Sequence, residues 1–140
     1  MRRGQAGFTM IELLVAIAIL GVIAAILIPN FIRARASSQL AAAQLDFHHI
    51  VMALEMYYWE NQAYPPAASW ESDLESGGYI RAVPRSPVDR APYGYATDAA
   101  RTRFVLWDGP DKYIQAGTGG YIVYTVTGGL EVGVTSVPTP

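Results

Sequence analysis

The sequence predicts an α+β fold: one long N-terminal helix, apolar in its first half and amphipathic in its second, packed on a small antiparallel sheet of three or four strands. Three observations carry this. Residues 10–28 are apolar except for Glu12. From Leu40 to Tyr57 apolar residues recur at alternating spacings of three and four, the signature of one helical stripe. The last third of the 140-residue chain holds four runs of aromatic and β-branched residues separated by turn residues.

The first half of the helix is sized for a bilayer. Phe8 to Ile28 is 21 residues, or roughly 31 Å at about 1.5 Å per residue, against a hydrocarbon core of about 30 Å. Arg2 and Arg3 precede it and Arg33 and Arg35 follow it, a balance that sets only a weak orientation preference. A carboxylate at the centre of a membrane helix costs roughly 2.5–3.5 kcal/mol on insertion scales, so Glu12 is a functional residue needing a partner. A cleaved secretory signal competes with this reading, since Ala34-Arg35-Ala36 is a small-x-small site. That site comes after 36 residues, however, beyond the usual range of roughly 15–30.

Pro29 lacks an N–H donor and crowds the preceding turn, so it ends or kinks a helix; a kink is expected, because helical patterning resumes directly after it. Leu40, Ala43, Phe47, Ile50, Leu54 and Tyr57 then form the stripe that covers the sheet, with Gln39, Gln44, Asp46, Glu55 and Glu60 off it. Asn61 can terminate the helix, and Pro65-Pro66 prevents its continuation.

Tyr64 to Pro92 reads as a long connection with one short helical turn at Ser69–Glu75, capped by Ser69. Candidate strands are Tyr93–Thr97, Arg103–Trp107, Tyr121–Thr127 and Leu130–Val134. Gly128-Gly129 is a two-residue turn signal joining the last two as a hairpin. Alternation of Leu130, Val132 and Val134 with Glu131 and Gly133 gives that strand one buried face. Val137 to Pro140 is expected to fray.

Composition excludes several functions. The formal net charge is −2, and without Arg2 and Arg3 the side chains sum to −4; there is no basic stripe, so no nucleic-acid partner is expected. The chain has no cysteine and therefore no disulfide. His48 and His49 are adjacent and point about 100° apart on a helix, which suits surface positions better than a metal pair. Gly117-Thr118-Gly119-Gly120 lacks both the dinucleotide spacing and the phosphate-loop lysine. No catalytic set is recognisable, and no enzyme activity is expected. Asp108, Asp111 and either Asp89 or Asp98 fall in loops that could converge beside the sheet. Calcium takes such oxygen ligands, although Asp and Gly also favour tight turns on their own account.

Gly7-Phe8-Thr9-Met10-Ile11-Glu12-Leu13-Leu14, behind a short arginine leader, resembles the N-terminus of type IV pilins and type II secretion pseudopilins. Further along, Ala53-Leu54, Tyr57, Glu60-Asn61 and Tyr64-Pro65 are similar to the "AL…Y…ENG.YP" helix end of major pseudopilins, with Gln62 in place of the usual glycine. The order Gly78-Tyr79-Ile80, Val83-Pro84, Pro87-Val88-Asp89 and Pro92-Tyr93-Gly94-Tyr95 resembles their "GYL..LP.DPWG.PY.Y" run, with Asp89 displaced past the proline. The resemblance implies a pilin-like fold with three parts: a leader at 1–7, a transmembrane and filament-core half-helix at 8–32, and an exported globular domain at 33–140. It implies cleavage by prepilin peptidase between Gly7 and Phe8, N-methylation of Phe8, and pairing of Glu12 with the Phe8 amine of a neighbouring subunit. The implied partners are further copies of the chain in a homopolymeric filament, minor pilins or pseudopilins, an inner-membrane assembly platform and the lipid bilayer. The inner membrane is the implied location, with the globular domain in the periplasm. The absent disulfide and the run from Tyr64 to Tyr95 favour a major pseudopilin of type II secretion. The alternatives are a type IV pilin serving adhesion, twitching or DNA uptake, and a soluble secreted binding module released after Ala36. Major pseudopilins bind calcium in their C-terminal loop, which makes Asp108, Asp111 and Asp89 candidate ligands of a structural calcium.

Overall fold

The computed structural model describes residues 8–140. Helix α1 spans Met10–Asn61 and runs through Pro29 without ending. At 52 residues it is roughly 78 Å long at about 1.5 Å per residue. Just beyond the proline, where the ladder lacks one N–H, the side-chain amide of Asn30 donates to the carbonyl of Ile26 at 3.1 Å. The helix stops at Asn61, and Gln62 adopts the left-handed cap with φ 55°, donating its N–H to Tyr58 at 2.8 Å. A glutamine thus takes the conformation in which glycine is most at ease.

The two halves of α1 differ in what they touch. No residue from Phe8 to Arg35 is buried, and the helix carries a stretch long and apolar enough to cross a membrane. From Ala36 onward the expected stripe turns inward: Ala43, Phe47, Ile50 and Leu54 are buried, while Leu40 and Tyr57 pack half-buried at its edge. Val51 and Ala53 widen it. Each fully buried aliphatic or aromatic side chain contributes about 1.5–3 kcal/mol, so this half is held by tertiary packing.

The stripe meets a four-stranded antiparallel meander in the order β1 (Gly94–Thr97), β2 (Phe104–Asp108), β3 (Tyr121–Thr125) and β4 (Gly129–Val134). In β2, Phe104 and Leu106 belong to the core shared with the helix, and Asp108 lies on the same side. Val105 and Trp107 occupy the other face, where the indole lies over Gly94, its cross-strand partner; a Cβ at 94 would run into that ring. Short helix α2 (Trp70–Ser76) closes one end of the core. Trp70 stacks on Tyr95, which stacks on Phe104 and so reaches Tyr124, a row of rings spaced 5.0–6.0 Å apart.

Four expectations need correction. Ser69 occupies the cap position of α2 but makes no side-chain bond to the helix backbone; its hydroxyl donates to Asp73 instead, at 2.7 Å. The last hairpin turns at Val126–Gly128, because Gly129 already pairs with Thr125, and the N–H of Gly128 is held by the Thr125 hydroxyl at 2.8 Å. Strand β4 has no buried residue: it is one of the two edge strands, with a register shift at Tyr121/Ile122, and its alternation yields a half-buried face only. The tail does not simply project into solvent. Val137 and Pro140 are half-buried, and Pro138–Pro140 line a shallow cleft with Val105 and Thr125 on the outer face of the sheet.

Candidate functional site

Two places carry the residues singled out from the sequence: the start of α1 and the loops beyond the C-terminal end of β2. Gly7, one side of the expected cleavage, lies outside the described residues. Phe8 is exposed, and α1 begins immediately after it. Thr9 is the N-cap. Its hydroxyl accepts the N–H of Glu12 at 3.3 Å, while Glu12 Oε2 accepts both the Thr9 N–H at 2.9 Å and the Thr9 hydroxyl at 2.7 Å. This is a capping box, in which cap and third residue satisfy each other's orphan donors. Thr9-Met10-Ile11-Glu12 was legible as such a box, a threonine three residues before a glutamate at the head of an apolar run. Glu12 is therefore tied to its own helix end, one residue from Phe8.

At the other place, Asp108 is 1 % exposed. Its Oδ1 accepts the Lys112 ammonium at 2.6 Å and the Gly109 N–H at 2.9 Å. Its Oδ2 accepts the hydroxyls of Ser86 at 2.8 Å and Tyr113 at 2.7 Å. An ionised carboxylate offers about four lone-pair sites, and all four are in use. Lys112 also reaches both oxygens of Asp89, at 3.0 and 2.9 Å. Asp89 is held below the usual carboxylate range, first by the Lys112 bond and then by the Ala91 N–H. Burial opposes the charge of Lys112, but its bonds to Asp108 and Asp89 outweigh this and raise it above an ordinary lysine. Burial, reinforced by the bond to Asp108, pushes the Tyr113 hydroxyl up.

The four candidate acids thus separate. Asp89 and Asp108 converge on Lys112, which no motif in the sequence marks. Asp111 pairs with Gly120 instead: its Oδ1 accepts that N–H at 3.0 Å, and its own N–H donates back to the Gly120 carbonyl at 3.1 Å. Asp98 sits at the opposite end of β2, where it accepts the N–H groups of Thr102 and Arg103 at 2.8 Å and orders the β1–β2 hairpin loop. A calcium ion would need several of these oxygens as ligands. The set as folded does not fit one: Asp108 has no open site, and both Asp89 oxygens face an ammonium. His48 and His49 are both exposed on α1.

Comparison with known proteins bears on most of the chain. Residues 2–28 match the family model described as the prokaryotic N-terminal methylation motif. Over 123 residues the chain is 31% identical to type II secretion system core protein G of Pseudomonas aeruginosa, covering 76% of this chain and 83% of that protein. It is 32% identical over 99 residues to the protein of the same name from Aeromonas hydrophila, covering 61% and 69% respectively. Type IV major pilin protein PilA of Myxococcus xanthus is 38% identical over 63 residues, which span 45% of this chain and 29% of that pilin. No solved structure matches.

Proposed function

As the chain belongs to the family of type II secretion system core protein G, the major pseudopilins, we propose that it is the structural subunit of a pilus-like filament serving protein secretion. The observation that carries this is the division of α1. Its first half, from Met10 to Ile32, is unburied and apolar except for Glu12 and Asn30, and it continues without interruption into a half that contributes to the core of the head. An apolar rod of that length needs lipid or other helices around it, and a polymer of parallel subunits supplies the helices.

In this reading prepilin peptidase cuts between Gly7 and Phe8 and the new N-terminus is methylated. The half-helix anchors the subunit in the inner membrane with its head in the periplasm. An assembly platform and minor pseudopilins then direct growth of the filament. Glu12 accepts the Phe8 amine of a neighbouring subunit, since an unpaired charge in a filament core of low dielectric is expensive. The role is mechanical, and no catalytic step is assigned. The likeness to a type IV major pilin favours a surface pilus as the second reading; neighbouring genes for a secretion channel or for a retraction ATPase separate the two.

The test is the intact mass and N-terminal sequence of the protein from native membranes. A chain starting at methylated Phe8 is expected. A chain starting at Ser37, or an uncut Met1 beside an active prepilin peptidase, would overturn the reading.

A further inference from the structure

We propose that the ammonium of Lys112 is a cation built into the head, taking the place between Asp89 and Asp108 that a divalent metal would otherwise fill, so that the loops are ordered without calcium. Lys112 joins three segments distant in sequence: the Ser86–Ala91 loop through Asp89, the end of β2 through Asp108, and the loop that precedes β3. Ser86, fully buried, completes the tie by donating to the same carboxylate while its backbone carbonyl holds the Arg90 N–H at 2.9 Å.

The local chain is shaped for this lysine. A Cβ at Gly109 would lie 3.1 Å from Lys112 Cε, so a side chain there would crowd the lysine stem. Pro110 follows with its fixed φ, and Asp111 takes φ 61°, a left-handed conformation that aspartate tolerates better than most residues. The chain doubles back at that turn, and Lys112 returns over Gly109 to Asp108. Its side chain is 16% exposed, shielded but not sealed. A point charge with three rotatable donors suits two carboxylates approached from different directions better than a planar guanidinium does. The tie lies wholly within the head and is independent of whether the protein polymerises.

Lys112 is the single lysine of the chain, which makes the test direct. The full-length protein in detergent is exposed to reductive methylation with millimolar calcium or with chelator, and Lys112 is followed by mass spectrometry. Melting temperature is recorded in the same two buffers. Lys112 should stay unmodified in both, become modified after denaturation, and the two melting temperatures should coincide. In Lys112→Met the melting temperature should fall by several degrees in both buffers. Calcium that raises the wild-type melting temperature or opens Lys112 to methylation would overturn the proposal, as would a Lys112→Met protein melting with the wild type. If that variant does not fold, the wild-type comparison alone still decides.

Discussion

The hydroxyl of Tyr93 donates to the carboxylate of Asp46 at 2.9 Å, fastening the segment before β1 to the middle of α1. The same device recurs along the helix: Tyr64 donates to Glu55 at 2.8 Å, and Tyr79 donates to Glu60. Asp46 and Glu55 stand half-buried beside the stripe and meet tyrosines whose rings are in the core, whereas Glu60 is exposed and Tyr79 packs half-buried at the edge. The Tyr93 ring also meets Phe47 edge-on, with centroids 5.0 Å apart.

Tyr93→Phe keeps that ring contact and removes only the bond to Asp46. Hydrogen bonds to charged groups contribute about 1.5–3 kcal/mol, so the variant should lose roughly that in thermal or denaturant unfolding. An unchanged midpoint would mean that water replaces the hydroxyl without cost.

Alkaline pH should unfold the head. Tyr64, Tyr93, Tyr95 and Tyr113 are all pushed well above an ordinary tyrosine, in each case first by burial; carboxylate bonds add to this for Tyr64, Tyr93 and Tyr113. In the unfolded chain they ionise near about pH 10. The folded state holds their protons longer, so their contribution is complete below about pH 10 and is lost as pH rises beyond it. Melting temperature should be steady toward that value and then fall steeply. Tyrosinate absorbance from these four should appear only with loss of helical dichroism; its appearance in a still folded protein would contradict the prediction.

Glu12 can be dissected because it does two things. Glu12→Gln retains the acceptor of the capping box, since glutamine serves there as well as glutamate, but it removes the charge. Glu12→Ala removes both. Processing should survive in each variant and filament yield should collapse in each. Normal filaments from Glu12→Gln would assign the residue to helix capping alone.

Past the membrane half, α1 keeps an apolar outer edge. Leu45, Met52, Met56 and Trp59 are exposed, Trp59 by 77%, and at about 100° per residue they share the side opposite Ala43, Phe47, Ile50 and Leu54. Replacing Met56 and Trp59 together by serine should change head stability by no more than about 0.5 kcal/mol per site, as is usual for surface positions. The same change should reduce filament yield, read from sheared or pelleted fractions, if this edge meets neighbouring subunits. Unchanged yield would leave it facing solvent in the assembled state.

Periodicity made most of the fold legible. The helix stripe from Ala43 to Leu54 and all four strands lie within a residue or two of where spacing and β-branched content place them, because local pattern and burial agree there. What escaped depends on position in the sheet or on distance in the chain. Strand β4 has the right alternation but stands at an edge, where Val132 is half-buried against the core and Leu130 stays exposed. Lys112 is 23 residues from Asp89 in sequence, and no local pattern announces that the two meet. Asp108, by contrast, stood out as an acid after a strand; the protons that saturate it come from residues that look ordinary in a sequence. The nearest contact of Glu12 is Thr9, a pair visible in the sequence as a threonine three residues before a glutamate.

Every buried residue of the described chain lies at or beyond Ala36, so the head draws none of its core from the half of α1 that meets lipid. The subunit can exchange its surroundings at one end without disturbing the other. An apolar half that moved from lipid to a bundle of like helices would change its neighbours but hardly its polarity, and the head would need no refolding.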